Sequence, residues 1–277
     1  MRGRRPIMQK RRTYFIIFLL LLITSNYAVA SQRDKKDKKK AAEVVLHVPE
    51  PDAYPQIKLD APLNESPPAR DASHRHINTV SEGIDVSHYQ GTIDWEAVAA
   101  TGKVGYAYVK ASESVSFVDD YYYYNIDEGR KYGITMGSYH FYRAHVDQEA
   151  QFQHMISVID PSKQDIVPLI DVEAANGVSV ETFASRLKVF LKKTEEYYGR
   201  PPVLYTYLNF YNKYLAYRGF DHYPIMIASY SDQTPITVDG VEYIMWQYTS
   251  KGRISGVKGN VDRSRFMNGH TVYDIIY

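Results

Sequence analysis

From Gly83 onward, short β-rich runs alternate with helical stretches, and this alternation restricts the possible folds more than any other feature. Residues 83–86 read as a strand, Ile93-Asp94-Trp95-Glu96 opens a helix, and Gly102 stops it. Residues 105–110 form the next expected strand, followed by a helix over 121–132 that Gly133 terminates. A strand over 135–141, a helix over 147–159 and a strongly apolar strand over 167–173 come next. The longest expected helix covers 180–198 and ends at Gly199, and 203–206, 225–229 and 243–248 read as three further strands. Strands separated by helices indicate parallel β-α units. Seven or eight strands in roughly 195 residues predict a single irregular, incomplete TIM-like (β/α) barrel of the α/β class over residues 80–277. The later connections are too short for full helices, so departures from eightfold regularity are expected.

The segments before the barrel have a different character. Residues 1–30 read as a signal peptide or N-terminal anchor: six basic residues precede the apolar run 14–23, and Ala28-Val29-Ala30 is a small-x-small cleavage pattern. The apolar run is shorter than the ~20 residues that span a bilayer comfortably. Residues 31–79 read as a Lys/Pro-rich disordered tether, with a charge run over 35–40 and six of the thirteen prolines between 49 and 68. The product is expected to be exported, periplasmic or extracellular, and to meet a membrane only through an uncleaved N-terminal segment.

The overall charge of +1 conceals an asymmetry. Residues 1–40 carry 12 Lys/Arg against 2 Asp/Glu, a balance of +10, which leaves 21 basic and 30 acidic groups, a balance of −9, on the remainder. An acidic globular part lacks the basic face on which nucleic-acid affinity depends, so no nucleic-acid partner is expected. With no cysteine in the chain, stability has to come from the core rather than from disulfides.

In an α/β barrel the active site collects at the C-terminal ends of the strands. Those ends carry Asp85, Lys110, Tyr139 and His140, Asp171 and Glu173, Tyr205 and Thr206, Ser229 and Tyr230, and Trp246-Gln247-Tyr248, and a final short segment delivers Asp262. Asp171 and Glu173, two apart in Leu169-Ile170-Asp171-Val172-Glu173, are expected to share one face. Repulsion between such neighbours raises the proton affinity of at least one, and a carboxylic acid still protonated near neutral pH is what a glycosidic leaving oxygen needs. Taken singly, Asp85 also suits a turn in Gly-Ile-Asp-Val-Ser, and Asp262 also suits the close of a surface loop. Other chemistries lack their residues: there is no Cys-x-x-Cys, no His-x-x-x-His, no nucleophile elbow and no phosphate loop, so neither a metal nor a cofactor is expected.

The runs Gly83-Ile84-Asp85-Val86-Ser87-His88-Tyr89-Gln90-Gly91 and Ile93-Asp94-Trp95 resemble the opening of glycoside hydrolase family 25 lysozymes. Gly137-Ser138-Tyr139-His140-Phe141-Tyr142, Asp171-Val172-Glu173, Trp246-Gln247-Tyr248 and Gly259-Asn260-Val261-Asp262 resemble later segments of the same family, in the family's order, over residues 83–268. The resemblance implies hydrolysis of the β-1,4 bond between N-acetylmuramic acid and N-acetylglucosamine, with peptidoglycan as partner. It implies Glu173 as general acid, with Asp171, Asp85 and Asp262 completing the catalytic carboxylates. Tyr139, His140, Tyr205, Tyr230, Trp246, Gln247 and Tyr248 are the expected substrate-binding residues. An aspartate two residues before the acid suits substrate assistance by an acetamido group, with retention of configuration. A hydrolase of another N-acetylhexosamine polymer and a non-catalytic peptidoglycan-binding module are the alternatives. The chain departs from the family pattern at Ser264, where an asparagine is usual, at Lys110-Ala111-Ser112-Glu113-Ser114, and at Met226-Ile227-Ala228, which lacks a tryptophan.

Overall fold

The structure, a computed structural model, describes residues 77–277. The expected signal peptide or anchor (1–30) and the tether up to residue 76 lie outside the described residues. Ile77 packs on the core, and Asn78 donates its backbone N–H to Thr135 Oγ1 at 2.9 Å.

Among the described residues nine strands form one sheet: β1 Glu82–Val86, β2 Tyr106–Glu113, β3 Phe117–Val118, β4 Thr135–Phe141, β5 Leu169–Asp171, β6 Val203–Tyr207, β7 Ile225–Ala228, β8 Met245–Gly252 and β9 Val261–Phe266. The order β1-β9-β8-β7-β6-β5-β4-β2, with β1 also paired to β2, closes eight strands into a barrel, and β3 hangs from β2 as a short antiparallel edge. Pairings from β1 through β8 along the α/β path are parallel. The last strand differs: β9 runs antiparallel to both β8 and β1. The expectation of parallel β-α units missed this because the four consecutive polar residues 262–265 leave β9 without an apolar strand pattern. The helical layer is the incomplete part. Helices α1 (Trp95–Ala100), α2 (Tyr122–Lys131), α3 (Gln148–Val158) and α4 (Val180–Tyr198) cover the first crossovers, and β6 is followed only by a short helical stretch over 208–215.

The helices begin where the sequence supplies caps. Asp94, Asp147 and Ser179 accept from Ala97, Ala150 and Thr182 backbone N–H groups, each satisfying a first-turn donor. Helix α4 ends at Gly199 with φ 71°, the left-handed conformation that glycine adopts without a Cβ clash. Its Phe183, Leu187, Phe190, Leu191 and Tyr198 are buried at helical spacing, each worth about 1.5–3 kcal/mol of transfer out of water.

Glycines make room for the aromatic side chains beneath the site. A Cβ on Gly83 would stand 2.2 Å from the Tyr106 ring, which is fully buried and anchored by its hydroxyl to Ser264 Oγ at 2.9 Å. This bond gives a structural use to the serine that replaces the family's usual asparagine. Gly83→Ala forces that ring to move in a packed interior. It is expected to lower stability by about 1–3 kcal/mol, read from the midpoint of chemical denaturation. An unchanged midpoint would mean that the ring has free space.

Candidate active site

Strand alternation places every second side chain at the C-terminal rim. Asp85 comes from β1, Lys110 from β2, Tyr139 and Phe141 from β4, Asp171 from β5, with Glu173 just beyond it, Tyr205 and Tyr207 from β6, Gln247 from β8 and Asp262 from β9. All of these line one cleft, together with Tyr230, Ser87, Tyr89 and Gln90 from the loops. The four expected carboxylates are therefore brought together. Asp85 and Asp262 are direct cross-strand partners on β1 and β9, and Asp171 lies opposite Phe141 on β4 and Tyr205 on β6.

A hydrogen-bonded arc orders the rim. The hydroxyls of Tyr205 and Tyr230 donate to Gln247 Oε1 at 2.9 and 2.8 Å. The amide is thereby oriented so that Nε2 donates to Asp85 Oδ2 at 3.1 Å. The Tyr207 and Tyr205 hydroxyls also hydrogen-bond Glu173. On the other side a bulge after Lys110 turns Ser112 outward and keeps Glu113 on the cleft side, where Lys110 Nζ reaches it at 2.6 Å. Asp171 Oδ1 is buried and has no hydrogen-bond partner among the described residues.

Burial dominates the proton affinities. It raises Asp85 to about 7, reinforced by the charge of Asp262 and opposed by the Gln247 hydrogen bond. It raises Asp262 to about 6. Burial lifts Asp171 well above the usual carboxylate range, with Glu173 adding repulsion and Lys110 opposing. Glu173 is raised by burial and by Asp262, against the hydrogen bonds of Tyr207 and Tyr205 and the charge of Lys110. Sequence reasoning assigned the raised affinity to Asp171–Glu173 repulsion. In the structure desolvation comes first for both residues, and repulsion is secondary.

Tyr139, Tyr205, Tyr230 and Gln247 line the cleft as expected for binding residues, and three others do not. His140 alternates with Tyr139 and so points into the helical layer. There it meets Ser112 at 2.8 Å and Gln151 at 3.2 Å, stacks on Phe190, and is driven by burial down to about 3, which keeps it neutral. Trp246 and Tyr248 flank inward-facing Gln247 and lie on the strand's other face. Trp246 donates to Ser229 O at 2.8 Å, Tyr248 to Glu82 at 3.0 Å, and Arg265 stacks on both rings. These three side chains support the wall rather than face the cleft. Tyr207, Phe141, Tyr89 and Gln90 were not singled out from the sequence; alternation from Tyr205 and Tyr139 would have found the first two. Among the described residues, no group of three or more His, Asp or Glu side chains is arranged to hold a metal ion.

A closed α/β barrel whose rim gathers four carboxylates, all with proton affinity raised by burial, is an arrangement suited to glycoside hydrolysis. The chain belongs to the glycosyl hydrolases family 25, which it matches over residues 84–257. It is 32% identical over 199 residues to the uncharacterized protein YegX of Escherichia coli O157:H7, covering 70% of this chain and 72% of the relative. It is 31% identical over 188 residues to an autolytic lysozyme of Clostridium acetobutylicum, covering 68% and 56%. The crystal structure of a bacterial lysozyme from Streptomyces coelicolor superposes with a TM-score of 0.64 at 28% identity, covering 70% of this chain and 94% of the other.

Proposed function

We propose that this chain is an exported peptidoglycan hydrolase, a muramidase that cleaves the β-1,4 bond between N-acetylmuramic acid and N-acetylglucosamine. The observation that carries the mechanism is the pairing of Glu173, whose proton affinity burial raises, with a buried Asp171 oxygen that has no hydrogen-bond partner among the described residues. Glu173 protonates the leaving glycosidic oxygen. The substrate's own acetamido carbonyl oxygen attacks C1, and its N–H donates to Asp171 Oδ1, which favours the ionised form of Asp171 and stabilises the developing positive charge. Water then opens the cyclic intermediate with Glu173 as base, so the anomeric configuration is retained. Asp85 and Asp262 flank the opposite side of the cleft, and Tyr139, Tyr205, Tyr230 and Gln247 contact the sugar. The lysozyme of C. acetobutylicum supports peptidoglycan as the substrate. Export is supported by the basic and apolar pattern of residues 1–30 and the small-x-small motif.

Digestion of isolated peptidoglycan, with fragments identified by mass spectrometry, is expected to yield new reducing-end muramic acid. NMR of the first product is expected to show the β-anomer. Reducing-end N-acetylglucosamine would overturn the bond assignment, an α-anomer would overturn substrate assistance, and binding without any cleavage would leave a peptidoglycan-binding module.

A further inference from the structure

Beside the cleft, reached through its lining residues Lys110 and Phe141, stands a cluster whose charge character is opposite to the acidic floor. Lys110 Nζ lies 5.0 Å from the Phe117 ring centre and 5.2 Å from that of Phe141, and the Arg143 guanidinium lies 4.4 Å from Phe141. Glu113 joins the two cations, meeting Lys110 at 2.6 Å and Arg143 Nη2 at 2.5 Å and Nε at 3.0 Å. Both cations hold the Glu113 carboxyl below its usual value despite burial, so it stays ionised and the cluster carries one net positive charge. Arg143 Nη1 has no protein hydrogen-bond partner among the described residues, and the guanidinium is part-exposed beside cleft-lining Phe141.

We infer that this Lys110–Glu113–Arg143 wall, faced with Phe141, is a specificity subsite for a free carboxylate on the peptide stem of the muramyl residue. The inference rests on the muramidase reading and deepens it. Phe141 is the cross-strand partner of Asp171, which would hold the acetamido group on C2 of the muramyl sugar. The lactyl ether that carries the stem leaves from C3, the adjacent ring carbon, so the stem starts beside this pair of strands. An anionic stem passing a floor of four carboxylates needs a counter-charge, and the wall supplies it. The Arg143 fork, placed over Phe141 and tied through one edge to Glu113, keeps a second edge for a carboxylate. A chitin-like chain has no acid at C3, so the wall would also separate the two polymers.

The test uses the full chain on two soluble tetrasaccharides of alternating N-acetylglucosamine and N-acetylmuramic acid. One carries an L-alanyl-D-glutamate stem, and the other carries the same stem with one glutamate carboxyl amidated. The two differ by one negative charge. The wild type is expected to favour the acid about tenfold in kcat/KM, the scale of one charge-assisted hydrogen bond. In Arg143→Gln the ratio should fall to within twofold of one, and in Arg143→Lys part of the preference should return. Because each ratio is taken within one protein, a loss of folded fraction cancels. A wild-type ratio near one, or an Arg143→Gln variant that keeps the preference, overturns the subsite while leaving the muramidase in place. Failure of the wild type to cut either compound removes the muramidase reading, and the subsite with it.

Discussion

Glu173→Gln is expected to lower kcat on peptidoglycan strands by about 10³-fold or more, with KM changed only a few-fold. Removing a general acid typically costs about 10²–10⁴-fold, and an alkoxide leaving from an unactivated glycoside sits at the upper end of that range. Glutamine has nearly the same shape and can still accept from the Tyr207 hydroxyl, so the cleft's arrangement should survive the change. What disappears is the transferable proton, which burial of Glu173 favours. Initial rates on soluble strands, with the circular dichroism spectrum as a folding control, check this. Residual activity above a tenth of wild type would move the acid role elsewhere, with Asp171 the first candidate.

Asp85→Asn is expected to give the opposite pairing of effects, with activity lost and stability gained at neutral to alkaline pH. Burial lifts the Asp85 carboxyl from 3.8 to about 7, so the folded chain keeps a proton there that the unfolded chain releases. The stability this group contributes is therefore fully present below about pH 3.8 and is lost as pH rises through about 7. A shift of about 3 units sets a ceiling near 4 kcal/mol at about 1.4 kcal/mol per unit; partial access to water reduces it to about 1–3 kcal/mol. Asparagine carries no charge to desolvate, and its oxygen can still accept from Gln247 Nε2. Thermal unfolding of both chains across pH 4–8 should show the wild type losing stability as pH rises and the variant losing less. Parallel curves would mean that water already solvates the Asp85 carboxylate.

The carboxylate rim was legible in the sequence because a barrel sends strand ends to one place and because alternation needs only the identity of one inward residue. Asp85, Asp171 and Glu173 followed from that rule, whereas Asp262, near the start of the reversed β9, came from a final short segment and the family resemblance. The same rule, applied consistently, would have excluded His140, Trp246 and Tyr248, each adjacent in sequence to a cleft residue and therefore on the opposite face. Aromatic and histidine side chains suggested sugar contact, and that chemical suggestion outweighed geometry. Two features had no local signature. The bulge after Lys110, which brings Glu113 to the cleft side, depends on pairing with β4. The reversed direction of β9 depends on its slot between β8 and β1, a choice made by the whole barrel rather than by residues 261–266.

That slot has a consequence for timing. β9 is the strand that closes the ring, and it sets Asp262 against Asp85 from the far end of the domain, while Gln247 reaches Asp85 across 162 positions. Neither contact can form until nearly the whole domain has left the ribosome, since pairings so distant in sequence come late. A partly emerged chain has an open wall and half a catalytic set. A peptidoglycan-cleaving enzyme built this way lacks its full set of carboxylates during synthesis and completes it only when the final strand docks.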